Sequence, residues 1–246
     1  MADQVTVGVL TPHAAVGPEV EFREMAPGRF TTQVTHVSVA GVGDTATPPT
    51  SPAELRAAAA PDALATAAAE LRLGSIDVIG YASTTSAYAI GGDAESAMVD
   101  RLSQRLDLPV AATCLSAVRA LRELDAGRVA LVHPPWFDDG LNELGASYFR
   151  SQGFTVVSVA LADLPNDPNR IEPGAVVEWV SRHVSEAADA VFIGGNGFRC
   201  AGAAVVCTQR SRSTAGDTRV RETLRATMIS HSYPGVCRPR PKRRNT

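Results

Sequence analysis

Long apolar runs are missing from this 246-residue sequence. The most apolar stretches, such as Val129–Val132 and Ala187–Ile193, are strand-sized, well short of the roughly 20 residues that cross a bilayer. The first residues, Met1-Ala-Asp-Gln, carry no basic region ahead of an apolar one. A secretory signal is therefore not expected, and the cytoplasm is the expected location. Cysteine is scarce. The four residues, Cys114, Cys200, Cys207 and Cys237, form no CxxC pair, which argues against a disulfide frame and a zinc site. The five histidines make no HExxH or HxH, so no metal is expected. Neither a GxGxxG nor a Walker loop is present, which leaves nucleotide binding without specific support.

The net charge is small, at −3, but unevenly spread. From Arg210 onward ten Arg/Lys face only Asp217 and Glu222, so the first 209 residues carry about −11. An acidic body is a poor partner for nucleic acid. The basic tail, residues 210–246, lacks interleaved aromatics and is expected to be a solvated, partly irregular extension rather than a nucleic-acid module.

What the sequence does have is alternation. Short β-branched runs (Val5–Leu10, Gln33–Val39, Asp77–Tyr81, Pro109–Ala112, Arg128–Val132, Thr155–Ala160, Ala190–Gly194) alternate with helical stretches (Ala53–Leu73, Ser96–Leu106, Leu115–Asp125, Phe137–Gln152, Ala175–Ala187). That order predicts parallel βαβ units. Ser51-Pro52-Ala53-Glu54 reads as a helix start with a capping box. Asp77-Val-Ile-Gly-Tyr-Ala-Ser-Thr-Thr-Ser and Asp189-Ala-Val-Phe-Ile-Gly-Gly-Asn-Gly-Phe share one plan: an acid, an apolar strand, then a turn of small polar residues. We therefore expect an α/β protein of two similar halves, each a parallel sheet flanked by helices. The pocket lies between them. The halves would be residues 1–113 and 114–209, with the boundary near Thr113–Gly127. Gly202–Cys207 is a candidate eighth strand, and Arg219–Met228 a candidate helix.

In such sheets ligands sit at the carboxyl ends of strands. Two turns stand out there. Ser83-Thr84-Thr85-Ser86 offers four consecutive hydroxyls, able to direct several donors at one carboxylate or simply to cap a helix. Gly194-Gly195-Asn196-Gly197 allows close backbone approach to a ligand, or makes an ordinary strand-to-helix turn.

These segments resemble the aspartate/glutamate racemase superfamily, and within it the maleate isomerase and arylmalonate decarboxylase branch. Gly8-Val-Leu-Thr-Pro-His-Ala-Ala-Val-Gly-Pro-Glu-Val-Glu is similar to that branch's first strand and loop. Asp77–Tyr88 resembles its strand followed by Cys-Thr-Ser, with Ser83 in the place of the cysteine and Thr84-Thr85 in the place of Thr-Ser. Asp189–Cys200 resembles its strand followed by Ser-Cys-Thr-Asn-Leu-Arg-Thr. There Gly195 stands for the second cysteine, Asn196 for the threonine, and Arg199 matches the arginine. His133-Pro-Pro-Trp-Phe-Asp-Asp resembles the segment where the family has Thr-Pro-Tyr, which puts Trp136 at the tyrosine. The likeness covers roughly residues 5–205. It implies a carboxylate held after the third strand and thiols that move protons, add to a double bond or protonate a carbanion, without metal or organic cofactor.

This sequence departs from that pattern at both thiols. Ser83 is a far weaker acid or nucleophile without an adjacent base, and Gly195 is neither. The expected site thus has Ser83 and His13 as catalytic candidates, His13 because it follows the first strand. Thr84, Thr85, Trp136, Gly195 and Asn196 are the substrate-binding candidates. Cys114, at a helix start where a thiol pKa is depressed, Cys200 and His133 are further candidates, each also readable as structural. The expected activity is that of a cofactor-independent isomerase or decarboxylase acting on a small carboxylate. The alternative is a catalytically silent carboxylate-binding relative. A homo-oligomer is compatible with either.

Overall fold

The computed structural model describes residues 4–13, 17–38, 51–185, 187–195, 198 and 200, and the backbone of 228–229. Two parallel four-stranded sheets carry the chain. The first contains β1 (Val5–Thr11), β2 (Phe30–His36), β3 (Val78–Tyr81) and β4 (Val110–Ala112), in the order β2-β1-β3-β4. The second contains β5 (Arg128–His133), β6 (Thr155–Leu161), β7 (Ala190–Ile193) and β8 (Met228–Ile229), in the order β6-β5-β7-β8. The two orders are the same. The α/β architecture of two similar halves, each a parallel sheet flanked by helices, is as expected.

Continuous apolar strands explain the layering. Residues of β3, β7 and all but the first of β5 are buried, as strands covered on both faces must be. The repeat seen in the sequence has a physical cause. Asp77 accepts the Thr6 backbone N–H at 2.8 Å, and Asp189 accepts those of Gly127 and Arg128 at 3.1 and 2.7 Å. In each half the acid before the third strand therefore ties down the start of the central strand beside it.

Helices connect the strands: α1 (Pro18–Met25), α2 (Pro52–Ala58), α3 (Pro61–Ala69), α4 (Thr84–Ile90), α5 (Gly92–Leu106), α6 (Thr113–Glu123), α7 (Asp139–Ser151) and α8 (Pro173–His183). The capping box forms as read: Ser51 Oγ accepts the Glu54 N–H at 3.3 Å, and Glu54 Oε2 accepts the Ser51 N–H at 3.1 Å.

Several expected boundaries need correction. Ala53–Leu73 is two helices, because Pro61 cannot donate to the ladder and holds Ala60 extended. The second strand starts and ends three residues earlier than Gln33–Val39, at Phe30–His36. Its register is fixed by pairing along all of β1, from Val5↔Phe30 to Thr11↔His36. It is an edge strand carrying polar residues, which blurs its sequence signal. The segments expected as turns after β1 and β3 include helices α1 and α4. The eighth strand described is Met228–Ile229, paired parallel to β7. Met228 thus belongs to a strand and not to the expected helix Arg219–Met228, and part of the presumed basic tail joins the second sheet. Gly202–Cys207 and the remainder of that helix lie outside the described residues.

The element order places the candidate site. In the first sheet the chain steps from β1 outward to β2, then returns to β3 on the other side, so the order reverses between β1 and β3. The second sheet reverses between β5 and β7. Crevices at the carboxyl ends of such strand pairs are where ligands bind in open parallel sheets.

Candidate active site

Both reversals are occupied by the residues singled out in the sequence. Beyond β1 lies His13; beyond β3 lie Ser83, Thr84 and Thr85. Beyond β5 lies Trp136, and beyond β7 lies Gly195. Asn196 and Arg199 lie outside the described residues.

Ser83 is the N-cap of α4. Its Oγ accepts the Ser86 N–H at 3.2 Å and donates to Ser86 Oγ at 2.8 Å. The hydroxyl is thus committed to ending a helix, and the partner it donates to is another hydroxyl rather than a base. Thr84 is buried, and its carbonyl accepts the Cys114 thiol at 3.8 Å. Thr85 is also buried, and its Oγ1 has no hydrogen-bond partner among the described residues. A buried hydroxyl without a partner is costly, by roughly 1–3 kcal/mol.

His13 is half-buried, with its backbone N–H on Thr11 Oγ1 at 3.2 Å. Burial, reinforced by His36 at the end of β2, holds its imidazole below the ordinary range, so it is neutral at pH 7. Trp136 sits in the turn after β5 and meets Phe198 edge-on, with ring centroids 6.2 Å apart. Gly195 has φ +113°, and a Cβ there would lie 2.5 Å from Pro134 Cγ. Proline therefore fills the space a cysteine would need, and the backbone is in a region that side chains avoid.

The thiols are not activated. Cys114 opens α6 as expected, yet burial, and after it the nearby Glu95, push its pKa well up rather than down. The helix-terminus argument fails here because desolvation of the thiolate outweighs the dipole. Cys200 is buried in the core of the second half and donates to Glu21 Oε1 of α1 at 3.6 Å.

Four residues outside the expected site, joined by the candidate His133, form a buried polar system between the halves. Tyr88 of α4 bonds His133 Nε2 at 2.9 Å, and His133 Nδ1 bonds Asn142 Oδ1 of α7 at 2.7 Å. An amide oxygen only accepts, so Nδ1 carries the proton and Nε2 accepts from the tyrosine. Burial lowers the His133 pKa to about 4 against an opposing contribution from Asn142, which makes the imidazole neutral. Beside this chain, the Tyr148 hydroxyl of α7 donates to Glu95 Oε2 of α5, and the Leu115 N–H reaches Glu95 Oε1 at 3.5 Å. Burial raises Glu95 to about 7, although its hydrogen bonds from Tyr148 and the backbones of Leu115 and Cys114 pull the other way. One signal for Glu95 was present in the sequence: Glu95, Met98 and Leu102 fall at helical spacing on one stripe, and all three are buried. Nothing comparable marks Tyr88 or Asn142 before their partners are known.

No group of three or more His, Cys, Asp or Glu residues able to hold a metal occurs among the described residues. Among them, too, no helix is long and apolar enough to cross a membrane.

The fold and these turns define a protein of two parallel α/β halves with small-residue and hydroxyl turns at the strand reversals. The chain belongs to the arylmalonate decarboxylase family, whose model matches residues 58–230. No curated protein sequence matches it. Among solved structures it is similar to a glycine-to-cysteine mutant of arylmalonate decarboxylase in a sulfate-associated form. That pair shares 16% identity and a TM-score of 0.68, over 92% of this chain and 88% of the other. The maleate isomerase Iso from Pseudomonas putida matches with 21% identity and a TM-score of 0.68, over 93% and 88%. A maleate cis-trans isomerase from Nocardia farcinica, captured with a covalently bound succinylcysteine intermediate, matches with 21% identity and a TM-score of 0.62, over 91% and 94%.

Proposed function

We propose that this protein is a cofactor-independent isomerase or decarboxylase that acts on a small carboxylate. Membership of the arylmalonate decarboxylase family supports the reaction class. The observation that carries the substrate class is Thr85, whose buried hydroxyl in the first turn of α4 lacks a partner among the described residues. A carboxylate oxygen supplies the missing acceptor. Thr84 and the backbone of Gly194 and Gly195 complete the cradle, with Trp136 as a further donor.

The chemistry runs without the thiols of the family pattern. In proton exchange at Cα, neutral His13, placed after the strand next to β3, takes the Cα proton as the C–H bond breaks to a carbanion and returns it to the same carbon; Ser83 shapes the hydroxyl turn. Incubation with maleate, phenylmalonate and amino acids in D2O, followed by NMR, tests this. Turnover or Cα deuteration that is lost in Thr85→Val is expected. No consumption and no exchange on any of them would sink the enzymatic reading.

Two observations favour a second reading, a silent carboxylate-binding relative. Ser83 is committed to capping α4, and Cys114 is held protonated. In that case maleate or malonate raises the melting temperature without turnover.

A further inference from the structure

We infer that the hydrogen-bond chain from Asn142 through His133 to Tyr88 is a positioning device that sets the hydroxyl turn of α4 against the end of β7. The inference rests on the carboxylate reading and names what holds that site in shape.

Tyr88 follows Thr84 and Thr85 by four and three residues on α4, so the three side chains share one face of the helix. Its hydroxyl reaches His133, the last residue of β5, and His133 in turn is held by Asn142 from α7. The chain thus ties a helix of the first half to a strand and a helix of the second.

Two glycines on separate elements pack against it. A Cβ at Gly194, just past β7, would meet Phe192 Cε1 at 2.8 Å first, then His133 Cδ2 at 3.1 Å and Tyr88 Oη at 3.2 Å. A Cβ at Gly145, inside α7, would lie 2.8 Å from Tyr88 Cε2 and 2.9 Å from His133 Cε1. Glycine inside a helix is less favourable than alanine, so Gly145 has a cost that the close approach explains.

Packing alone does not need this arrangement. A phenylalanine at 88 and an apolar residue at 133 would fill the same space without burying a hydroxyl and an imidazole. A hydrogen-bonded chain through the buried Tyr88 and His133 has direction, which apolar contact lacks. It fixes how far α4 is turned and slid relative to Gly194. That relation sets the spacing between the Thr85 hydroxyl and the backbone beyond β7, and hence the geometry offered to a carboxylate.

The experiment is calorimetric titration of the full chain with maleate and with malonate, comparing the unsubstituted protein with Tyr88→Phe, Asn142→Ala and Tyr148→Phe. Tyr148→Phe also removes a buried tyrosine hydroxyl between the halves, but one bound to Glu95, so it controls for a merely structural loss. Tyr88→Phe and Asn142→Ala are expected to bind about tenfold more weakly, the order of one net hydrogen bond, with Tyr148→Phe unchanged. Equal affinity in Tyr88→Phe, or equal weakening in Tyr148→Phe, overturns the inference while leaving the carboxylate reading intact. Should Tyr88→Phe not fold, Asn142→Ala decides in the same way. Failure of the unsubstituted chain to bind either dicarboxylate overturns the carboxylate reading and this inference with it.

Discussion

Replacing Glu95 by glutamine should flatten part of the protein's pH dependence of stability. Glu95 is almost wholly buried between α5, α6 and α7, and its pKa rises from the ordinary 4.5 to about 7. Between those values the folded state holds a proton that the unfolded chain has released. Stability from this group is therefore complete below about pH 4.5, declines as pH rises, and is gone above about pH 7. The span corresponds to about 3 kcal/mol, since each pH unit is worth about 1.4 kcal/mol. Glutamine keeps an oxygen to accept the Leu115 N–H and an amide N–H to donate to the Tyr148 hydroxyl, but cannot ionise. Glu95→Gln should match the parent near pH 5 and exceed it by up to about 3 kcal/mol at pH 8. Urea unfolding of both proteins at pH 5, 6, 7 and 8 measures this, because every other carboxylate contributes equally to the two curves and cancels in their difference. Parallel curves across that range would refute the reasoning. They would mean that the Glu95 carboxyl ionises in the fold as freely as in water.

Other substitutions test the packing around the site. Gly145→Ala places a Cβ 2.8 Å from the Tyr88 ring, so overpacking of about 1–3 kcal/mol should exceed the gain in helix propensity and lower the melting temperature. Gly195→Cys, which restores the thiol of the family pattern, should be destabilised by its +113° φ and by Pro134, and should gain no isomerase activity in an assay with maleate. Ser83→Cys keeps an acceptable backbone but weakens the α4 cap. We expect a loss of about 1 kcal/mol in urea unfolding. Cys114, buried and held protonated, should resist iodoacetamide at pH 8 in the native protein and react once unfolded, as read by site-resolved mass spectrometry.

The strands β3, β5 and β7, the capping box at Ser51 and the twofold recurrence of acid, strand and polar turn were all legible in the sequence. Each depends on local pattern: apolar runs, proline and hydroxyl placement, and residues within a few positions of one another. The Ser83–Thr85 turn was legible for the same reason, as was its likeness to a family motif. The break at Pro61 was also local, and the alternating composition around it masked it. What needed the tertiary structure were relations between distant residues. Cys114 at a helix start looks activated until its burial against Thr84 and Glu95 is known. Gly195 looks permissive until Pro134 is found in the space a side chain would take. Tyr88, His133 and Asn142 are 45 and 9 residues apart along the chain, and no periodicity links them. Whether a polar side chain is solvated, orphaned or joined to a buried chain depends on which atoms close around it, and that is decided only when the two sheets and their helices pack.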